Sequence, residues 1–235
     1  MKILNTEKED YHVHSLNFSD GFNTIDEMVK HAGEIGLKKL VFADHSQAAL
    51  DAEGIAKKTF RTIITAGRWK NVINKVEVIF GIEIDLLNEK GDICDHIQNK
   101  KADFNILSYH KRVYKGDKKK LTQAFVNAIE KYHEIINMIG HLNLPFLDGV
   151  EVDITKIVEL ANKYSIPLEL NCKYIFIGAE PGKNPEFARK HMEAIKLMLS
   201  KADQVYVNSD AHTLWELKEL RKLGFKFLKD NGFLK

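Results

Sequence analysis

Short β-branched runs alternate with longer helical patterns from one end of the chain to the other, and this restricts the fold more than any other feature. The runs fall at 10–14, 39–43, 76–84, 104–108, 136–140, 166–170 and 204–208. Apolar spacing at three to four residues predicts helices over 25–35, 53–74, 121–134, 154–164, 185–200 and 214–223, with Thr24 and Asn184 as caps. Strand and helix taken in turn imply parallel βα units rather than separate sheet and helix domains. Seven such units imply an α/β fold that closes, or nearly closes, into a barrel. No repeat of fixed period and no Pro-, Gly- or Ser-rich linker divides the chain, so a single domain over 1–235 is expected.

Residues able to carry chemistry gather at one end of these runs. His12 and His14 close the first, Asp44 and His45 the second, Glu83 the third, His110 the fourth, His141 the fifth, and Asp210 and His212 the seventh. In a parallel barrel the carboxyl ends of the strands meet around one mouth, where such folds build their active sites. Asp20, on the loop after the first strand, can reach the same mouth. Spacing at i and i+2 puts His12 and His14 on one face of a strand, where both imidazoles can close on one ion. Singly, each has a structural reading. His14 or His141 could be a satisfied core histidine, Asp20-Gly21 a turn, Asp44-His45 a cap, and Glu83 half of a buried ion pair. Together they are costly to bury without a cation, which points to a multinuclear metal site. His31, His96, His133 and His191 lie away from strand ends and read as surface or structural.

Composition excludes several classes. With 35 Lys plus Arg against 33 Asp plus Glu, the net charge of +2 lacks the basic balance of a dedicated nucleic-acid binder. The first residues turn polar at once, and no stretch approaches the roughly 18 apolar residues of a membrane span. A soluble, cytoplasmic protein is expected. Cys94 and Cys172 are too few for a disulfide framework and read as buried or incidental thiols. The basic run Lys115-Gly116-Asp117-Lys118-Lys119-Lys120 reads as a solvated loop, with a phosphate-attracting patch as the alternative.

His12-Val13-His14, Ser19-Asp20-Gly21, Ala43-Asp44-His45, Gly81-Ile82-Glu83, Ser108-Tyr109-His110, Gly140-His141 and Ser209-Asp210-Ala211-His212 stand in the order of the motifs of one family. In them the chain resembles, over nearly its whole length, the polymerase and histidinol phosphatase (PHP) superfamily of metal-dependent phosphoesterases. The resemblance implies a distorted (β/α)7 barrel, TIM-barrel-like, in agreement with the seven strands read from periodicity. It also implies a trinuclear centre. The first ion would take His12, His14, Glu83 and Asp210; the second would share Glu83 and add His110 and His141; the third would take Asp20, His45 and His212. Imidazole and carboxylate donors suit Zn, Mn or Fe, and no thiolate selects among them. Asp44 reads as an outer group orienting a histidine rather than as a ligand.

Such a centre suits phosphoester hydrolysis, with a hydroxide bridging two ions as nucleophile. Glu83, Asp210, His212 and Asp20 are the expected catalytic residues, the last two as candidates to assist the leaving group. Lys111, Arg112 and Lys173 follow strand ends and are candidate substrate contacts. Arg61 and Arg68 share a helical spacing, and the loop 178–182 follows the sixth strand. The resemblance to stand-alone histidinol phosphatases makes L-histidinol phosphate the best single substrate and a small phosphorylated metabolite the expected partner, with a place in histidine biosynthesis. The alternatives are a phosphodiesterase or nuclease acting on nucleotides or short oligonucleotides, and a non-catalytic metal-binding module. No stable nucleic-acid partner and no membrane is expected.

Overall fold

The computed structural model describes residues 1–55, 68–177 and 184–234. Its strands are β1 (Lys2–Ile3), β2 (Glu9–Val13), β3 (Lys39–His45), β4 (Glu77–Leu86), β5 (Ile93–Cys94), β6 (Asn105–Ser108), β7 (Met138–Ile139), β8 (Leu168–Asn171) and β9 (Gln204–Asn208). They form one curled sheet in the order β1-β9-β8-β7-β6-β4-β3-β2, parallel throughout except for β5, which pairs antiparallel with β4. All seven runs read from the sequence are strands of this sheet. β4 departs from expectation by running past Ile84 to Leu86, because Asp85 and Leu86 gain partners in Cys94 and Ile93.

The two ends of the strand order meet beside β9. Val13 bridges Ala211, the His14 N–H donates to the Ala211 carbonyl at 2.9 Å, and the Asp210 N–H donates to the His12 carbonyl at 2.9 Å. Nearer the amino ends, two side-chain amides stand in for ladder bonds. Asn5 donates to the carbonyls of Val207 (2.9 Å) and Glu9 (3.1 Å) and accepts from the Val207 N–H (2.9 Å), while Asn208 accepts from the Tyr11 N–H at 3.1 Å. The result is a distorted, TIM-like barrel.

Helices cover the outside of the sheet. α1 (Ile25–Glu34) follows β2, and its apolar stripe of Ile25, Met28, Val29 and Ala32 packs with Val13, Leu40 and Phe42. α2 (Gln47–Glu53) follows β3. α3 (Leu121–Tyr132), α4 (Leu144–Leu147), α5 (Ile154–Lys163), α6 (Cys172–Ile177), α7 (Pro185–Lys201) and α8 (Leu214–Asp230) follow β6 to β9 and bury the largest apolar cluster. Thr24 and Asn184 cap α1 and α7 as their sequence suggests.

Two helices differ from expectation. No helix spans 53–74: α2 ends at Gly54, left-handed at φ 71°, and residues 69–76 are irregular. There Asn71 accepts from the N–H groups of Ile73 and Asn74, and Asn74 from that of Val76, side-chain bonds that compete with a helical backbone. Residues 56–67, Arg61 included, and the loop 178–182 lie outside the described residues, while Arg68 is exposed. α8 continues past Leu223 because Gly224 is a point of close approach rather than a stop. A Cβ there would sit 2.2 Å from the Cys172 sulfur. No helix among the described residues is long and apolar enough to cross a membrane.

Candidate metal centre

The nine side chains singled out as ligands converge at the carboxyl ends of the strands. Their hub is Glu83, in β4, only 1 % exposed. Its Oε1 lies 2.7 Å from His141 Nε2 and 3.5 Å from His110 Nε2. Its Oε2 lies 2.9 Å from His45 Nδ1, 3.6 Å from His12 Nε2 and 3.7 Å from His14 Nε2. Asp210 Oδ1 adds a carboxylate 3.2 Å from His14 Nε2. Asp20 Oδ1 joins His45 Nε2 at 3.6 Å and His212 Nε2 at 3.3 Å.

Local backbone explains how short segments deliver several groups at once. His12 and His14 bracket the end of β2 and bring their Nε2 atoms within 3.1 Å of each other. Asp210 takes φ 56°, a left-handed conformation costly for a residue with a Cβ, as the chain turns from β9 toward His212. Gly140 lets the chain before His141 pass close to β6, since a Cβ there would lie 2.5 Å from Ser108 Oγ. Glu216 accepts from the N–H groups of His212 (2.6 Å) and Thr213 (2.9 Å), fixing the start of α8 under the ligand segment.

Three sets of donor atoms, each mutually within 4.8 Å, could hold a metal ion: His12, His14 and Glu83; His45, Glu83 and His110; and His14, Asp20, His45 and His212. The partition is not the one the resemblance implies. His14 and His45 each belong to two sets, and His141 meets Glu83 directly.

Charge supports a cation here. Burial alone would lower His12, His45, His110 and His212, but neighbouring carboxylates outweigh it and hold all four above the ordinary imidazole value, His12 and His45 well above. Burial likewise pushes Glu83 and Asp210 up, and the surrounding cations bring both well below the carboxylate range. His14 is the exception, lowered to about 3 by burial and by its neighbours His212 and His45. Carboxylates and imidazoles thus favour each other's charged forms, and divalent ions can balance the same carboxylates through the same donors. Nδ1 of His14 and of His141 are buried with no hydrogen-bond partner. The residues present therefore fit a group of divalent ions.

Some groups escaped the sequence reading. Glu169 Oε1 lies 2.8 Å from His12 Nδ1, and Asp85 Oδ1 lies 2.7 Å from His110 Nδ1, so these two carboxylates orient the rings. Glu169 also accepts from Asn208 and from the His141 N–H, both at 3.0 Å. Two signals were available. Asp85 stands at i+2 from Glu83 on a strand, and Glu169 is the one charged residue of the one run, among the seven read from the sequence, that was given no ligand. Asp44 requires a correction: it holds Ser15, not a histidine. Its carboxylate accepts from the Ser15 N–H at 2.6 Å and hydroxyl at 2.8 Å, and burial pushes its pKa up to about 7.

The three candidate substrate cations separate. Lys173, in the first turn of α6, places Nζ 3.1 Å from His212 Nδ1 and 3.9 Å from Asp210 Oδ1. Lys111 and Arg112 are exposed and face Asp148 (3.3 Å) and Glu53 (3.5 Å). Among the other histidines, His191 is buried in α7 and the remaining three lie near or at the surface. Both cysteines are buried and free.

The pattern of the PHP domain matches residues 10–173. The chain is 26% identical over 218 residues to a protein of Shewanella piezotolerans named "Probable phosphatase", covering 91% of this chain and 81% of that one. It is 25% identical over 215 residues to "Probable phosphatase YcdX" of Escherichia coli, covering 91% and 82%. Among solved structures, the histidinol phosphate phosphatase of Lactococcus lactis, complexed with Zn, L-histidinol and phosphate, superposes with a TM-score of 0.50 at 15% identity, over 96% of this chain and 94% of that one. At that identity the likeness is one of fold.

Proposed function

The chain belongs to the PHP domain family, and from that membership we propose that it is a metal-dependent phosphatase of small phosphomonoesters, with L-histidinol phosphate as the best single substrate. The observation that carries the reading is one buried carboxylate, Glu83, ringed by five imidazoles within 4 Å beside a lysine that reaches the same cluster. Relatives named as phosphatases support the reaction class, and the L-histidinol and phosphate held by the structural relative support the substrate.

Although His14 and His45 each also reach a second set of donors, the family pattern would have His12, His14, Glu83 and Asp210 hold one ion, Glu83, His110 and His141 a second, and Asp20, His45 and His212 a third. Bound divalent ions supply a water of lowered pKa and neutralise phosphoryl oxygens as charge develops on them. The chain's own groups do the rest. Glu169 and Asp85 hold the rings of His12 and His110 in one orientation, so that no reorganisation is needed during turnover. Lys173 Nζ binds a phosphoryl oxygen as a point charge. Asp20 and His212, the former the most open of the nine with a side chain 29% exposed, face the side from which a leaving alkoxide takes up its proton.

Purified protein loaded with Mn, Zn or Fe should release phosphate from L-histidinol phosphate, and Glu83→Gln should reduce that release to background. Release from p-nitrophenyl phosphate but not from L-histidinol phosphate would keep the phosphatase and discard the substrate. No release from any monoester with any of the metals would overturn the reading.

A further inference from the structure

Nine large apolar side chains are exposed among the described residues, and three of them sit beside candidate ligands. Leu16 (52% exposed) is two residues from His14, Phe22 (76%) two from Asp20, and Trp215 (63%) three from His212. Scattered exposed apolar residues are ordinary. A concentration at the rim of a polar site is not.

The backbone fixes these side chains to the centre. The Phe22 N–H donates to the His212 carbonyl at 2.8 Å, and the Leu16 N–H donates to the Asn23 carbonyl at 2.8 Å. Gly21 lies so close to the end of β2 that a Cβ would stand 2.5 Å from the His14 carbonyl oxygen. Trp215 occupies the first turn of α8, directly after the segment that Glu216 clamps. α1 and α8 pack against each other, and Phe22 and Trp215 precede or open these two helices within three residues of the ligands Asp20 and His212.

We propose that Phe22 and Trp215 form an apolar platform for the organic part of the substrate, and that the enzyme prefers phosphomonoesters of alcohols bearing a flat apolar or aromatic group. The proposal rests on the phosphatase reading above. Among the described residues, this rim is an exposed apolar surface beside the ligand segments, able to gain from desolvating an apolar group. A second protein is a poor occupant. Aromatic side chains bury about 150–250 Å² each, so the patch offers a few hundred Å², against the roughly 1,200–2,000 Å² of a stable interface.

The test compares 2-phenylethyl phosphate with ethyl phosphate, two alkyl esters with similar leaving groups, on Mn-loaded enzyme. Wild type should favour the phenylethyl ester in kcat/KM by about tenfold or more. Phe22→Ala and Trp215→Ala should each cut that ratio severalfold, whereas Leu197→Ala, an exposed apolar residue elsewhere on α7, should keep it. A wild-type ratio near one overturns the platform, as does equal loss on both esters. So does a change of oligomeric state in Phe22→Ala or Trp215→Ala with the ratio intact. If neither ester is hydrolysed, binding decides the platform, and the phosphatase reading itself fails only if L-histidinol phosphate and p-nitrophenyl phosphate also release no phosphate with Mn, Zn or Fe. In Trp69→Phe, where Trp215 is the sole tryptophan, 2-phenylethylphosphonate should quench fluorescence, and Phe22→Ala should weaken the binding. Absence of quenching overturns the platform independently of turnover.

Discussion

Asp85 and Glu169 act on the centre through the rings they hold. Asp85→Asn and Glu169→Gln keep shape but lose the charge that favours a ring N–H pointed outward from the metal. Each should weaken Zn or Mn affinity by about 10–100-fold, read by competition with a chelating dye; unchanged affinity in both would refute the orienting role. The cations make a second contrast. Lys173→Met should lower kcat/KM by about 10²-fold, as for loss of one preorganised donor. Lys111→Met and Arg112→Met, which break exposed pairs, should change it by less than about threefold; comparable losses at all three positions would refute the distinction. At this scale the sequence was informative where residue type and strand position coincide, as at His12, His14 and Asp210. It was silent where a group serves another group. Nothing in Asp44-His45 says that the aspartate turns to Ser15, because that choice depends on a loop 29 residues upstream.

Between elements, two bonds deserve comparison with ordinary packing. His191 joins α7 to the start of α4 and to α6, with Nδ1 3.1 Å from the Asn143 carbonyl and Nε2 2.7 Å from that of Tyr174. Burial lowers its pKa below the ordinary imidazole value of about 6.5. A depressed imidazole leaves the unfolded chain binding the proton first, so its contribution is full above that value and is lost as pH falls through it. Metal-free wild type should therefore lose more Tm between pH 7 and about 5 than His191→Asn; equal acid slopes would dismiss the effect. Asn5 is the other case. Asn5→Ala removes four bonds at the junction of β1, β2 and β9 and leaves a buried Val207 N–H unpaired, at a cost of about 2–4 kcal/mol in urea unfolding. A loss below about 0.5 kcal/mol would mean that the ladder holds without the amide. All seven strands were legible because each is a compact apolar run, and the capped helices α1 and α7 because their signals are local. Neither Gly224 within α8 nor the asparagine-bonded turn at 71–76 was legible. Each is decided by a contact, with Cys172 in one case and with backbone N–H groups in the other.

Across the whole molecule, the centre draws on β2, β3, β4 and the segments after β6, β7 and β9, so ions bound there would stabilise the native state alone. Chelator treatment should lower Tm and excess Mn or Zn should restore it; a Tm indifferent to both would place the ions outside the stability of the fold. The junction of β2 with the chain beyond β9 carries a further consequence. His12 and His14 lie at the end of β2 and Asp210 just after β9, and the strands that bear them are joined by one bridge, two backbone bonds, two side-chain amides and the Asp10–Ser209 pair. An ion shared by those three residues would be a reversible cross-link between segments far apart in sequence. Loop entropy grows only with the logarithm of length, so such a clasp costs little more to close than one across a much shorter loop, while it ties the first and last strands of the site to each other.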